Sequence, residues 1–208
     1  RLTAAGALDE VRDTTGLVLD PYFSGTKAAW LLHDGGVPAD DSVALGTIDS
    51  WLIWRLTGGA AHVTDASNAS RTMLLDLHTR EWSPSMAELL GVPLELLPRV
   101  VPSSGRVGVT APDCPLGGGL PISGIAGDQQ ASLFGQACFA PGDVKVTFGT
   151  GAFALMNLGS TCPEPIDGLL TTIAWDLPGM GTTYAYEGSV FATGAAVQWL
   201  RDGLGIIE

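Results

Sequence analysis

The stretch Pro121-Ile122-Ser123-Gly124-Ile125-Ala126-Gly127-Asp128-Gln129-Gln130-Ala131-Ser132-Leu133-Phe134-Gly135-Gln136 constrains this chain more than any other. Ile122 and Ile125 among small residues read as a short buried strand. Gly127 permits a tight turn, Asp128 falls at an expected helix N-cap, and Ala131, Leu133 and Phe134 continue as a helix. A strand that hands an acid to a helix N-terminus holds one carboxylate at a crevice, where the helix dipole favours the ionised form. A plain capping role is an equal alternative at this point. The side-chain amides of Gln129 and Gln130 favour a functional role, because neutral donors and acceptors suit hydroxyl groups better than a metal cage.

Around this stretch the pattern alternates helices and strands. Residues 1–12 are weakly helical, and a helix over 25–33 capped near Ser24 follows from the spacing of Lys27, Trp30, Leu31 and Leu32. Val43–Ile48 reads as a buried strand, with Asp49-Ser50 capping a helix through Leu56. Thr64–Thr72 reads as a polar loop, on the surface or lining a cleft. Met73–Leu77 and Arg106–Thr110 are candidate strands, Ser83–Leu90 and Leu94–Leu97 short helices, and Ala111–Gly119 a Pro/Gly-rich loop. Val144–Phe148, the turn Gly149-Thr150-Gly151 and Ala152–Leu158 form a hairpin. Leu169–Trp175 and Thr182–Tyr186 add two strands, and Ser189 caps a helix from Val190 to Leu200. A boundary falls near 137–142.

Apolar residues make up 46% of the 208 and charged residues 15%, enough for a sizeable core. The net charge of −12 disfavours nucleic acid and anionic membrane surfaces as partners. No apolar run approaches the length of a membrane span. Cys114, Cys138 and Cys162 lack zinc-site spacing and read as free thiols of a reducing cytoplasm. His33, His62 and His78 stand alone, so no metal ligand is assigned. The opening Arg1-Leu2-Thr3-Ala4 and the closing Gly205-Ile206-Ile207-Glu208 read as a piece of a longer protein.

The Gly149-Thr150-Gly151 turn offers backbone N–H groups and a hydroxyl that suit a phosphate, although such a turn is more often only a turn. No P-loop or dinucleotide fingerprint is present. The small face of the last helix, with Gly194 and Ala195, admits either a flat ligand or close helix packing.

The 122–136 stretch resembles the glycerol kinases of the FGGY carbohydrate kinase family. So do Asp20-Pro21-Tyr22-Phe23-Ser24-Gly25-Thr26-Lys27, residues 46–54 (Gly-Thr-Ile-Asp-Ser-Trp-Leu-Ile-Trp) and Asn68-Ala69-Ser70-Arg71-Thr72-Met73-Leu74. Gly168–Trp175 and Gln198–Leu204 extend the likeness along nearly the whole chain, and the doubled Gln129-Gln130 separates glycerol kinases from pentulose-acting relatives. The resemblance implies an α/β, actin-like, ribonuclease-H-like ATPase fold with two domains and a cleft between them. Residues 1–136 would be the later part of the N-terminal domain, and 137–208 the start of the C-terminal one. It implies phosphorylation of glycerol by ATP with Mg2+, in a cytoplasmic enzyme that is a homo-oligomer, dimer or tetramer. Asp128 would be the general base. Tyr22 and Gln129 would bind glycerol hydroxyls and Phe153 would cover its carbon face. Gly149, Thr150, Gly151, Gly194 and Gln198 would lie along the nucleotide. The family's first phosphate loop, its glycerol-gripping Arg-Glu pair and its adenine-holding segment match nothing in these residues, so residues 1–208 alone are expected to be inactive. Ala28 stands where a large apolar residue is usual. The absence of Arg and His from 111–120 speaks against control by a sugar bisphosphate or histidine phosphorylation. Two other readings are an FGGY kinase for another polyol or sugar, and a non-catalytic association module.

Overall fold

The structure, a computed structural model, describes Leu2 and residues 6–208. The start of the helix expected over 1–12 therefore lies outside the described residues. From Leu8 it runs to Thr15 (α1) and closes on Gly16 at φ 69°, whose carbonyl accepts from Thr171 N at 2.8 Å. A Cβ at Gly16 would overlap Thr171 and Leu77, so glycine is required by space as well as by φ. Helix α2 (Ser24–His33) starts beyond Phe23, with Lys27 Nζ donating back to the Tyr22 carbonyl at 2.8 Å. Helix α3 covers Ile48–Leu56. Its N-cap is Thr47 rather than Asp49-Ser50; Asp49 instead accepts from Thr47 Oγ1 and from Thr64 Oγ1.

Three element assignments in the first half fail, at 43–48, 64–72 and 73–77. Val43–Ile48 is no strand: its backbone reaches across the fold only at Leu45, whose N–H donates to Leu96 O at 2.8 Å and whose carbonyl meets His62 Nε2 at 2.9 Å, and it pairs with no ladder. Thr64–Thr72 is no surface loop. It holds strand β1 (Val63–Asp65) and the single-turn helix α4 (Ala66–Ala69), and its hydroxyls turn inward. β1 pairs in parallel with β2 (Arg99–Val101), a strand too short to register as a pattern. Met73–Leu77 contributes one bridge, Leu75 to Trp82, and otherwise fills the core as a bend. The short helix expected over Ser83–Leu90 is α5 (Pro84–Leu90), with Ser83 outside it as the N-cap, and Leu94–Leu96 is one 3₁₀ turn.

Strand β3 (Ser104–Val109) pairs antiparallel with β4 (Pro121–Gly124), which is largely exposed rather than buried; Ile125 beyond it enters the core. Helix α6 spans Asp128–Gly135. Four antiparallel strands follow as expected: β5 (Val144–Phe148), β6 (Ala152–Gly159), β7 (Leu170–Leu177) and β8 (Gly181–Val190), in spatial order β5-β6-β8-β7. Helix α6 lies on this sheet through Leu133, which packs with Leu155, Ala174, Trp175 and Ala185. The last helix is shorter than expected. Ser189 and Val190 remain in β8, paired with Phe153 and Ala152, so α7 covers only Gly194–Gln198 before a wider π turn over Trp199–Gly203.

The sheet also joins the earlier elements. Ile173 and Tyr184 pack with Ala66, Ala69, Leu75 and Leu77, and the Tyr184 hydroxyl donates to the Leu77 carbonyl at 3.0 Å. Ser70 and Thr172 share a buried hydroxyl contact at 2.8 Å.

Candidate active site

The geometry around Asp128 starts from a buried carboxylate elsewhere. Asp65 ends β1 fully enclosed and caps α4. Its Oδ1 accepts from Ser67 Oγ at 2.9 Å, Asn68 N at 3.0 Å and Asn68 Nδ2 at 2.8 Å. Its Oδ2 accepts from Ser67 N at 3.1 Å and Ser103 Oγ at 2.6 Å. Ser67 Oγ, held in this way, accepts from Gly127 N at 2.9 Å. The turn before Asp128 is thus tied through one hydroxyl to a charge-assisted cluster. Gly127, with extended φ −61° and ψ 152°, is the N-cap, and Asp128 is the first helical residue without a capping bond of its own. The cap assignment is corrected by one position. The carboxylate still lies at the positive end of the helix dipole.

Asp128 is exposed and Gln129 half-buried, and Gln129 Nε2 donates to Asp128 Oδ2 at 3.2 Å. Gln130 does not join them. It is buried and donates from Nε2 to Thr172 Oγ1 at 3.3 Å, so one amide rather than two faces the crevice. Gln129 Oε1 accepts from Lys145 Nζ, which also donates to Thr147 Oγ1 at 2.9 Å. Lys145 is 1% exposed, and burial pushes its ammonium below the usual lysine range, while the Glu187 and Asp128 carboxylates pull the other way.

The sheet register gathers the remaining side chains. Lys145 pairs with Leu155 and Leu155 with Glu187, so one face carries an ammonium and a carboxylate on either side of a leucine. On the same face Thr147 pairs with Phe153, which places Phe153 one row from Lys145. Glu187 is 3% exposed and bonds Arg71 Nη2 at 2.9 Å. The Arg71 guanidinium stands 5.5 Å from the Phe23 ring centre, and Phe23 meets Tyr22 edge-on at 5.4 Å. Tyr22 itself is 60% exposed. A continuous wall of contacts therefore runs from Tyr22 through Phe23, Arg71 and Glu187 to the sheet face beneath Asp128 and Gln129.

The hairpin tip and α7 meet at the same end of the sheet. The Thr150 carbonyl accepts from Thr193 N at 2.9 Å and Ala195 N at 3.2 Å, and the Gly149 carbonyl from Gly194 N at 3.0 Å. Gly149, Thr150, Gly151 and Gly194 are in this way brought together, and Gln198 lies exposed one helical turn beyond. A Cβ on Gly194 would overlap the Gly149 carbonyl. Gly194→Ala is accordingly expected to cost about 1–3 kcal/mol as the tip and helix are forced apart. A urea midpoint unchanged by that substitution would contradict the close approach.

Asp65, Ser67, Arg71, Lys145 and Glu187 did not stand out in the sequence. Lys145 left one signal: Val144, Val146 and Phe148 alternate with Lys145 and Thr147. The period is right, and the polar side faces in.

Comparison with known proteins matches residues 1–135 to the N-terminal domain of the FGGY family of carbohydrate kinases. Glycerol kinase of Bordetella parapertussis is 57% identical, across 95% of this chain and 40% of that protein. Glycerol kinase of Myxococcus xanthus is 56% identical, across 100% of this chain and 43% of that protein. The chain thus spans about 40% of the length of these relatives. Among solved structures, Plasmodium falciparum glycerol kinase with ADP superposes at a TM-score of 0.87 with 34% identity, over 94% of this chain and 40% of that one. Xylulose kinase from Rhodospirillum rubrum, 24% identical with a TM-score of 0.82 over 98% of this chain and 41% of that one, shares the fold.

Proposed function

Because the chain belongs to the FGGY family of carbohydrate kinases, whose actin-like, ribonuclease-H-like fold it forms in part, we propose that it carries the base and polyol contacts of an ATP-dependent glycerol kinase. Residues 1–136 would complete the N-terminal kinase domain and 137–208 begin the C-terminal one. The observation that carries this reading is the Asp128–Gln129 pair: an exposed carboxylate at the start of α6 with an amide fixed beside it.

In this mechanism Asp128 takes the proton of a primary hydroxyl of glycerol. The freed oxygen attacks the γ-phosphorus of ATP, the bond to the β–γ bridging oxygen breaks, and ADP and glycerol 3-phosphate result. Gln129 and Tyr22 hydrogen-bond the other hydroxyls, and Phe153 covers the carbon chain. A small polyol is selected this way because each hydroxyl left unpaired costs affinity. Thr150, between Gly149 and Gly151, contacts the transferring phosphate, and Gly194 and Gln198 lie along the nucleotide. Mg2+ supplies charge neutralisation on the phosphates. Among the described residues no group of three His, Cys, Asp or Glu is placed to hold a metal, and the resemblance puts the family's magnesium-associated Asp in its first phosphate loop, which matches nothing in residues 1–208. The protein is expected to be a cytoplasmic homo-oligomer; no helix among the described residues is long and apolar enough to cross a membrane.

The test is ADP release by the protein at the full length of its relatives, with and without glycerol. Glycerol-dependent release is expected, and none from residues 1–208 alone. Release with another polyol but not with glycerol would keep the kinase and overturn the substrate. No release with any polyol would favour the non-catalytic association module.

A further inference from the structure

We propose that Lys145 is a positioning residue that fixes which way round the Gln129 amide faces, making Gln129 a hydrogen-bond donor toward the substrate. The proposal rests on the reading above, in which Gln129 touches the polyol. An ammonium group has three N–H donors and no lone pair, so only the amide oxygen of Gln129 can face it. Oε1 is thereby committed to Lys145, and Nε2 is turned to Asp128 Oδ2, 3.2 Å away. The second N–H of Nε2 remains for an oxygen of the ligand.

Asp128 cannot enforce this orientation through a turnover. While ionised it attracts Nε2. Once it has taken the substrate proton it becomes a donor, and a Gln129 turned over would then satisfy it equally well. Lys145 carries the same donors before and after proton transfer, so it holds the amide while its neighbour changes charge. Its surroundings are built to keep it in place. It is 1% exposed on β5, bonded to Thr147 Oγ1, with Glu187 two strands away on the same face and Glu187 in turn held by Arg71. Lys145→Met also takes a donor from Thr147 Oγ1 and a cation from the face that carries Glu187, so its effect on fold stability is measured apart from its effect on the site.

The experiment measures kcat and KM for glycerol in the full-length protein carrying Lys145→Met, Lys145→Arg, Gln129→Ala, and Lys145→Met with Gln129→Ala. Lys145→Met is expected to raise KM about tenfold or more, with a smaller change in kcat, and a urea midpoint taken beside it reads any loss of fold stability separately. The double variant should lose no more than Gln129→Ala alone, because Lys145 acts through Gln129. Lys145→Arg, which also offers only donors, should keep KM near the parent value. Losses that multiply in the double variant, or an arginine no better than methionine, overturn the proposal and leave the glycerol kinase reading intact. If Lys145→Met does not fold, Lys145→Arg is set against Lys145→Gln, whose amide can offer either atom; equal KM values overturn the proposal. Gln129→Ala with an unchanged KM would remove Gln129 as a substrate contact, and the proposal with it. A parent that phosphorylates another polyol overturns only the substrate, and the same cycle is then read on that polyol.

Discussion

Replacing Asp128 with asparagine is expected to lower glycerol-dependent kcat by about 10²–10⁴-fold, the range general base catalysis supplies. The substitution keeps the size and planarity of the side chain at the first position of α6 and keeps one oxygen to accept from Gln129 Nε2. It removes the negative charge and, with it, the ability to take a proton at neutral pH. KM for glycerol should therefore move much less than kcat, the pattern of an interaction made in the transition state. Fold stability should fall by at most about 0.3–1 kcal/mol, the value of one carboxylate at an exposed helix N-terminus. The measurement is steady-state ADP release beside a urea titration of the same preparation. An Asp128→Asn variant that retains more than about a tenth of the parent kcat would remove Asp128 from the role of base.

The second large effect is on folding. Asp65 is enclosed and its two oxygens receive five hydrogen bonds, from Ser67, Asn68 and Ser103. Asp65→Ala strips the acceptor from five donors, three of them in buried contacts. The expected loss is about 3–5 kcal/mol, a large share of the roughly 5–15 kcal/mol typical of a folded protein. Asp65→Asn keeps the three-donor oxygen and sets an NH2 against the Ser67 amide, for roughly half that loss. Urea midpoints at unchanged m-value would check both. Hydrogen exchange adds a local readout: the Gly127 amide, bonded to Ser67 Oγ, should lose protection ahead of the β7–β8 pairs. A midpoint within about 0.5 kcal/mol of the parent for the alanine variant, the usual span of surface changes, would show that Asp65 is no structural hub.

Much of the fold was legible in the sequence because it is written in period. α2, α5, the β5–β6 hairpin and the β7–β8 pair all have spacing or turn residues that admit one assignment. The misses share a cause. Val43–Ile48 has a strand's composition but no neighbouring edge to pair with, and a strand is a pairwise object. Thr64–Thr72 has a loop's composition, but its hydroxyls bond the Asp65 carboxylate and the backbone carbonyls of Ser67 and Ala69 in the interior. The helix expected over 190–200 begins late because β8 takes Ser189 and Val190 for its ladder with β6, and tertiary pairing overrides local helix preference. For the candidate site, motif likeness picked out Asp128, Gln129, Tyr22, Phe153 and the hairpin tip. It said nothing of the residues behind them. Lys145 and Glu187 are far apart in the chain, and only sheet register puts them on one face.

The contacts of β7 and β8 with α4 and the 71–77 bend bear on how a cleft here could open and shut. Ile173 and Tyr184 share a core with Ala66 and Leu77, and the Arg71–Glu187 and Ser70–Thr172 pairs cross the same seam. The short Ala137–Gly142 connection thus runs over a seam that packed side chains, an ion pair and a buried hydroxyl pair already hold together. Tyr22, Asp128 and Gln129 lie on one side of that seam in the chain and Phe153 on the other, so the packed seam joins them. In the proposed kinase, a polyol held there would take its contacts from both sides of a seam that the chain has already packed.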